Sequence, residues 1–293
     1  MEPATSVPGR DVQIEFHADD YALFPGQTRR ILGCYCNGCL NGVSVMPNSK
    51  YLEPCMRALP EDVAVTVHLN LIEGKSLTGH PLLSDKRGNL SCSFGALLLR
   101  SCLPGQGALR RALAEELRAQ IRAVSACLTP GKPLRLDSHA HYHMLPLVFD
   151  AMMDVVREDK LDISYIRMPE EHVGLYLHHL GEIRDFSPIN LVKVAILNLL
   201  VQRNRRKYRT FLDKLDKKLF LGVFLSGRMY RENVEPVLPD ALNLARKKGW
   251  DIELLAHPGG VLELEDVMRI TNKSDMDFLC DDLRTREASL FEL

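Results

Sequence analysis

The chain has 293 residues, of which 46% are hydrophobic and 26% charged, values typical of a globular protein rather than of a disordered or fibrous one. Its 37 basic and 38 acidic residues leave a net charge of −1, which excludes the strongly charged surface that would attract nucleic acid or an anionic membrane. We therefore expect a small polar or neutral substrate and no nucleic-acid partner.

The beginning of the chain, residues 1–11, has neither a basic start nor an apolar stretch, so it predicts a flexible leader on a cytoplasmic protein rather than a secretory signal. The most apolar later segment, 189–201, contains lysine and asparagine and is too short to span a membrane. We interpret residues 12–293 as a single domain that carries an insert-like helical region around 170–235.

Four short apolar runs, each about as long as a β-strand, end in ionisable residues. They end at Asp19 and Asp20, at His68, at the segment 137–143, and at His257. Three further apolar or β-branched runs also predict strands: Gly42 to Met46, Ile163 to Met168, and Leu219 to Leu225.

Amphipathic helical patterns separate these runs. The clearest covers Ala108 to Leu128, and similar patterns cover Pro146 to Arg157 and Val234 to Lys248. Alternation of strands and helices favours a parallel sheet, so we predict an α/β, (β/α) barrel-like fold related to the TIM barrel, with seven parallel strands and outer helices. Ligands bind at the carboxyl ends of such strands, where the ionisable residues would form a metal-dependent hydrolytic site.

Two regions are less regular. Residues from Glu73 to Gln106 are rich in Gly, Ser and Pro and predict a long loop with one short helix. A basic run from Arg203 to Arg209 has two interpretations, a solvated helix face or a contact for a phosphate or other anionic group on the substrate.

The ionisable residues allow a first division of roles. Side chains alternate along a strand, so Asp19 and Asp20 point the same way only if the backbone turns, and one can ligate a metal while the other addresses water or substrate. If the fourth run continues as a strand, His139, His141 and His143 face one side, which suits one metal ligand with neighbours for substrate contacts.

The same residues form four motifs: Ala18-Asp19-Asp20-Tyr21, His68-Leu69-Asn70, Asp137-Ser138-His139-Ala140-His141-Tyr142-His143, and His257-Pro258-Gly259. In these motifs the sequence resembles the YdjC-type carbohydrate deacetylases, a group that includes chitooligosaccharide deacetylases and relatives associated with hopanoid biosynthesis. The resemblance covers residues 12–170 and 250–293. One departure is Tyr21-Ala22, where the family often has Phe-Gly.

The resemblance implies a divalent metal ion, Mg²⁺ or Zn²⁺, held by Asp20, His68 and His139. It implies a hydrolase that removes acetyl from an N-acetylated amino sugar, in which metal-activated water attacks the amide carbonyl. Asp19 would be the general base, and we assign His257 as the general acid.

The remaining residues of the motifs are candidates for substrate contacts. We expect Tyr21, Asn70, His141 and His143 to bind the substrate. Either of the two histidines could also replace His257 as the general acid.

Two alternatives stay open at this point. One is another barrel metallohydrolase, a phosphoesterase or cyclic-amide hydrolase, although those enzymes more often have His-x-His where this chain has Ala18-Asp19-Asp20. The other is a catalytically silent relative that binds a sugar, against which the presence of every proposed ligand and proton-transfer group argues. A homodimer is the default assembly, because it is the commonest among soluble enzymes.

Overall fold

The computed structural model describes residues 11–259 and 282–292, so the predicted leader lies almost wholly outside the described residues. The strands are β1 (Ile14–Tyr21), β2 (Gly42–Val45), β3 (Ala64–Leu69), β4 (Leu134–Ser138), β5 (Ile163–Ile166), β6 (Lys218–Leu221) and β7 (Asp251–Ala256). The helices are α1 (Pro25–Cys36), α2 (Leu52–Ala58), α3 (Phe94–Ser101), α4 (Gly107–Ser125), α5 (Pro146–Glu158), α6 (Val173–Leu177), α7 (Pro188–Lys207), α8 (Arg209–Leu212), α9 (Arg231–Val234), α10 (Leu238–Lys248) and α11 (Asp282–Glu287). Two 3₁₀ segments cover His139–Met144 and Ala288–Glu292.

The seven strands form one parallel sheet in the order β5-β4-β3-β2-β1-β7-β6. The sheet curls into a half-barrel with helices around it, which confirms the predicted barrel-like α/β fold. Its two edges approach each other, since the backbone N–H of Asp216, just before β6, donates to the carbonyl of Ser164 on β5 at 2.9 Å. Parallel strands present their carboxyl ends on one face, and the four predicted site strands therefore end together.

The apolar core lies between the sheet and its outer helices. In helix α4 the large apolar residues recur every three or four positions and are buried, namely Leu109, Leu113, Leu117, Ile121 and Val124. Helix α10 ends at Gly249, whose φ of +67° is the left-handed conformation that favours glycine after a helix.

The inside of the half-barrel is charged rather than apolar. Five carboxylates and three cations project from the strands or their ends, and each side chain is at most 14% exposed. We call this set the interior charge network: Glu15, Asp19, Asp20, Asp137 and Glu253 with Arg135, Arg167 and Lys218. Its carboxylates exceed its cations by two, and the buried Arg284, whose Nη2 lies 3.6 Å from Asp20 Oδ2, offsets one of these charges.

The two irregular regions are also described. The loop from Glu73 to Gln106 contains one helix, α3, as predicted, and the buried Glu116 of α4 accepts hydrogen bonds from the Leu77 and Thr78 backbone N–H groups at 3.0 Å each. This carboxylate therefore holds the loop against the outer helix layer.

The basic run at the end of α7 makes internal ion pairs. Arg203 and Lys207 contact Asp150 of α5 at 3.1 and 2.7 Å, and Arg205 contacts Glu170 at 2.6 Å. Those three side chains thus fix α7 against the barrel. The basic run therefore has a structural role that differs from both interpretations, a solvated helix face and an anion contact. Across the described ranges, none of the helices combines the length and apolar character needed to cross a bilayer.

Candidate active site

Asp19 and Asp20 both reach the candidate site because β1 changes its pairing at this point. Ala18 pairs with Val43 and Tyr21 pairs with Val45, so β1 has one more residue than β2 between these two pairs. Asp20 adopts a left-handed backbone conformation with φ of +65°. Such bulges re-aim side chains next to active sites, and this one supplies the backbone turn that the Asp-Asp sequence requires.

The turn that follows is held by hydrogen bonds. The backbone N–H of Leu23 donates to the Asp20 carbonyl at 3.1 Å, and that of Ala22 donates to Thr28 Oγ1 at 3.1 Å. Ala22 has a φ of +71°, which L-amino acids other than glycine rarely adopt. The turn therefore persists although alanine stands where related sequences often have glycine.

Asp20, His68 and His139 converge at the carboxyl ends of β1, β3 and β4. Asp20 Oδ1 lies 2.8 Å from His139 Nδ1 and 3.4 Å from His68 Nε2. One ligand atom from each residue lies within 4.8 Å of the other two, the arrangement expected of a metal-binding group. Asp20 and His68 are fully buried, whereas His139 retains 18% side-chain exposure on the open side.

Each imidazole is oriented by a further carboxylate. His68 Nδ1 lies 2.8 Å from Asp137 Oδ1, and His139 Nε2 lies 3.0 Å from Glu73 Oε1. Burial would lower the pKa of His68, but Asp137 and Asp19 outweigh it and raise the pKa to about 9. Both histidines therefore lie in a negative field strong enough to favour a cation.

Asp19 belongs to a different set of contacts. Its Oδ2 lies 3.0 Å from Arg167 Nη1, 3.8 Å from His68 Nε2 and 3.9 Å from His257 Nε2. Burial would raise the pKa of Asp19, but the Arg167 guanidinium counters it and the net pKa is below the ordinary value. Asp19 is therefore an ionised carboxylate beside the cluster rather than a member of it.

His257 follows β7 and is oriented from the C-terminal segment. Its backbone N–H donates to Glu287 Oε2 at 2.7 Å, and its Nδ1 lies 3.8 Å from the same oxygen. Its side chain is 22% exposed, compared with 4% for Asp19. His257 is thus the more accessible of the two proton-transfer candidates.

The family model described as YdjC-like protein matches residues 13–288. The chain belongs to the YdjC-like family. Similar sequences include proteins named chitooligosaccharide deacetylase from Yersinia pestis strain Pestoides F and Yersinia pseudotuberculosis serotype O:1b, each 32% identical over 164 residues. Those matches cover 55% of this chain and 62% of each relative, so the chain is compared with a little over half of the relatives' length.

A solved structure from Enterococcus faecalis V583 has the same fold. Its description gives cellobiose-phosphate cleavage as a provisional role for that protein. It superposes with a TM-score of 0.63 at 17% identity and covers 96% of this chain and 91% of the other. At that identity the likeness concerns the fold alone.

In this YdjC-like chain, the three clustered residues fit a divalent cation. Asp20 Oδ2 and His68 Nε2 are buried, and neither has a hydrogen-bond partner among the described residues. A carboxylate with two imidazoles is a donor set that suits zinc and other first-row ions, while Mg²⁺ would add oxygen ligands from water. The excess of carboxylates in the interior charge network would also favour a divalent cation.

Two of the predicted substrate contacts have their polar atoms engaged elsewhere. The Tyr21 hydroxyl, fully buried, donates to the Cys55 carbonyl at 2.9 Å. Asn70, also buried, donates to the Glu73 carbonyl at 2.7 Å and to Asn48 Oδ1 at 3.0 Å. These contacts argue against direct substrate binding by either residue and instead give them roles in holding the β1 and β3 ends.

The condition under which the three histidines would face one side, a strand that continues beyond β4, is not met. The backbone leaves the strand at Ser138 and forms 3₁₀ turns, in which Ala140 and His141 have positive φ values of +49° and +57°. The three histidines therefore do not share one strand face. His139 joins the cluster, while the ring of His141 packs edge-on against Phe220 at 5.7 Å between centroids.

His143 turns into the core, where it is fully buried. Its Nε2 lies 2.8 Å from the Arg167 carbonyl and its Nδ1 lies 2.7 Å from Ser138 Oγ. A carbonyl can only accept, so Nε2 carries the proton and Nδ1 accepts from the hydroxyl. This placement argues against His143 as a substrate contact or general acid, and His141 is the better candidate because it is partly exposed.

The YdjC-like site contains charged residues to which sequence reasoning assigned no role. Arg167 directly follows β5, so the strand-end rule could have identified it. Asp137 is the first residue of the third motif, but roles were assigned from the sequence only to the histidines that follow it. No signal pointed to Arg284, whose Nη2 lies 3.6 Å from Asp20 Oδ2, because only folding brings the C-terminal segment to β1.

Proposed function

We propose that the chain is a metal-dependent hydrolase that removes the acetyl group from an N-acetylated amino sugar. The observation that carries the proposal is the convergence of Asp20, His68 and His139 directly beside Asp19 and His257. Membership of the YdjC-like family and the deacetylase names of the Yersinia relatives support the same reaction.

Asp20, His68 and His139 would hold the divalent ion, Mg²⁺ or Zn²⁺. When bound, such an ion would supply a Lewis acid that polarises the amide carbonyl and lowers the pKa of a nearby water. Asp137 would keep His68 in the tautomer whose Nε2 faces Asp20, since the hydrogen bond at Nδ1 fixes the ring.

Asp19 would act as the general base. Its Oδ2 faces the cluster, 3.8 Å from His68 Nε2 and 3.9 Å from His257 Nε2, so this oxygen would accept the proton of the attacking water. Arg167 donates a hydrogen bond to the same oxygen at 3.0 Å and thereby fixes the orientation of the carboxylate.

His257 would act as the general acid. The departing amine is a poor leaving group until its nitrogen is protonated, and His257 lies close to Asp19 on the accessible side. Glu287 accepts the backbone N–H of His257, which holds the residue at the end of β7. His141 is the partly exposed residue that we assign to substrate binding.

The proposal includes an N-acetylated sugar or glycoconjugate as the small-molecule substrate. A cytoplasmic location and a homodimer stay predictions from the sequence.

Acetate release tests the proposal. Purified protein is stripped with a chelator and incubated with N-acetylated sugars, including chitooligosaccharides, with and without added Mg²⁺ or Zn²⁺. We expect acetate that depends on the metal and disappears in Asp20→Asn, while the exposed Asp62→Asn control retains activity.

Acetate formation that persists after chelation would overturn the metal-dependent mechanism. Stoichiometric metal binding with no acetate from any sugar would favour a silent sugar-binding protein. Phosphate release from sugar phosphates by the same preparation would favour the phosphoesterase alternative.

A further inference from the structure

Arg167 occupies the centre of the interior charge network. Its Nη1 lies 3.0 Å from Asp19 Oδ2 and 2.5 Å from Asp137 Oδ2, and its Nη2 lies 2.6 Å from Glu253 Oε1. The side chain is completely buried. One guanidinium therefore bridges three carboxylates, which come from β1, β4 and β7.

The position of this guanidinium is fixed by the backbone as well as by the charges. The Arg167 backbone N–H donates to the Leu136 carbonyl at 3.0 Å, and its own carbonyl accepts from His143 Nε2 at 2.8 Å. The guanidinium carbon lies 5.8 Å from the centre of the Phe220 ring. Arg167 is thus a buried cation whose backbone is anchored next to β4 and whose guanidinium is enclosed by its three partners.

Two of those partners belong to a second group with metal-binding geometry. One ligand atom each from His17, Asp19 and Asp137 lies within 4.8 Å of the others, and all three residues are buried. This second group borders the first, because Asp19 Oδ2 lies 3.8 Å from His68 Nε2. Adjacent ligand groups of this kind are what hydrolases with two metal ions use.

We propose that Arg167 is a positioning residue that takes the place of a second metal ion. Its guanidinium neutralises Asp19 and Asp137 where another cation would otherwise bind, so the site accepts one divalent ion and Asp19 stays outside the coordination sphere of that ion. The inference rests on the proposed metal site at Asp20, His68 and His139.

The local pairing of charges explains why the exchange matters. Arg167 is the cation that contacts Asp19 and Asp137, whereas Arg135 and Lys218 pair with Glu15. Removal of the Arg167 charge would therefore leave the two carboxylates of the second group without a counter-charge. A second divalent ion is then the nearest compensation.

Counting bound metal tests the inference without reference to turnover. Each protein is stripped, dialysed against Zn²⁺ alone, and assayed for zinc per chain by mass spectrometry. We expect one zinc per chain in the wild type and two in Arg167→Met. The matched control is Arg135→Met, which removes another largely buried arginine of the same network that pairs with Glu15 and should keep one zinc.

Two further variants keep the inference testable if Arg167→Met fails to fold. Arg167→Met combined with Glu253→Gln removes one charge of each sign, so the network keeps its net charge. Asp19 and Asp137 still lack a counter-charge in this variant, and we expect two zinc ions. Arg167→Lys retains a cation at the position and should keep one. Circular dichroism establishes that each variant is folded before the metal is counted.

Two zinc ions in the wild type, or one in both folded Arg167→Met variants, would overturn the inference while leaving the deacetylase proposal intact. No zinc in the wild type at saturating concentration would contradict the proposed metal site itself. The failures of the two proposals are therefore distinguishable.

Discussion

Asp19 and Asp20 are adjacent in the chain but differ in their partners. Asp20 faces two imidazoles and Asp19 faces a guanidinium. Burial would raise the pKa of Asp20 as it would that of Asp19, and in both cases the cationic neighbours reverse the effect. Two identical side chains thus acquire separate roles, one suited to ligation and the other to proton transfer.

Replacement of Asp19 by Asn should separate these roles. The amide has nearly the same shape as the carboxylate but cannot accept a proton from water, so we expect turnover to fall by a factor on the order of 10² or more. Asp20, His68 and His139 are unchanged, so the metal content should remain. Measurements of kcat and of metal per chain check both parts, and unchanged turnover would remove Asp19 as the base.

His143 should make stability depend on pH. Burial lowers its pKa to about 4 from an ordinary value of 6.5, so the folded protein holds it neutral where the unfolded chain takes up a proton. Its contribution is complete above pH 6.5 and is lost as the pH falls from 6.5 towards 4. Between pH 7 and pH 5 the expected loss in unfolding free energy is about 2 kcal/mol.

The test compares urea unfolding of the wild type and His143→Gln at both pH values. Glutamine does not titrate, so the variant should lose about 2 kcal/mol less over this range, whatever its stability at pH 7. Equal losses in the two proteins would show that His143 is not the titrating group.

At the scale of elements, the end of β1 determines the geometry of the site. The bulge between Ala18 and Tyr21 and the left-handed residues Asp20 and Ala22 allow both carboxylates to reach the candidate site. A left-handed conformation costs an L-amino acid roughly 1–2 kcal/mol, which the turn's hydrogen bonds must offset. The element that aims the site is therefore under backbone strain.

Glycine at position 22 should relieve part of that strain. Ala18 is the matched control, because it is an equally buried alanine within β1, the strand that Ala22 directly follows. Ala18→Gly should destabilise the protein by about 1 kcal/mol, while Ala22→Gly should be more favourable than this control by roughly 1–2 kcal/mol. Urea midpoints with unchanged m values measure the difference, and equal losses at both positions would contradict the strain at Ala22.

At the scale of the whole molecule, the barrel interior couples stability to metal binding. The interior charge network spans the ends and interiors of β1, β4, β5, β6 and β7 and carries an excess of carboxylates in a region of low dielectric. A divalent ion bound to the folded state alone would therefore stabilise the entire sheet.

Chelation should lower the melting temperature. At an ion concentration of 100 times Kd, the folded protein gains about 2.7 kcal/mol, which for a chain of this size corresponds to a shift of several degrees. His68→Ala removes a ligand, so its melting temperature should be the same with metal and with chelator. Differential scanning calorimetry of both proteins checks this, and a metal-dependent shift in His68→Ala would contradict the ligand assignment.

Much of the element order was predictable from sequence because apolar periodicity reports local structure. The seven strands and the amphipathic helix α4 follow from patterns within single segments. The orientations of the histidines after Ser138 were harder to predict. They depend on 3₁₀ turns in which Ala140 and His141 adopt left-handed backbone conformations, and no periodicity in the sequence indicates these. The pairing of Arg203 and Lys207 with Asp150 joins residues more than 50 positions apart and depends on helix packing.

By itself, the amino-acid sequence determined the class of fold and the strands whose ends carry the candidate site, because these depend on local pattern and on a general property of parallel sheets, whose carboxyl ends share one face. The choice of Asp20, His68 and His139 among the ionisable residues came from the resemblance to the YdjC-type family. Only the tertiary structure decided that Arg167 bridges Asp19, Asp137 and Glu253, and that His143 faces the core. Those contacts join separate strands across the barrel interior, and their geometry exists only once the sheet has curled.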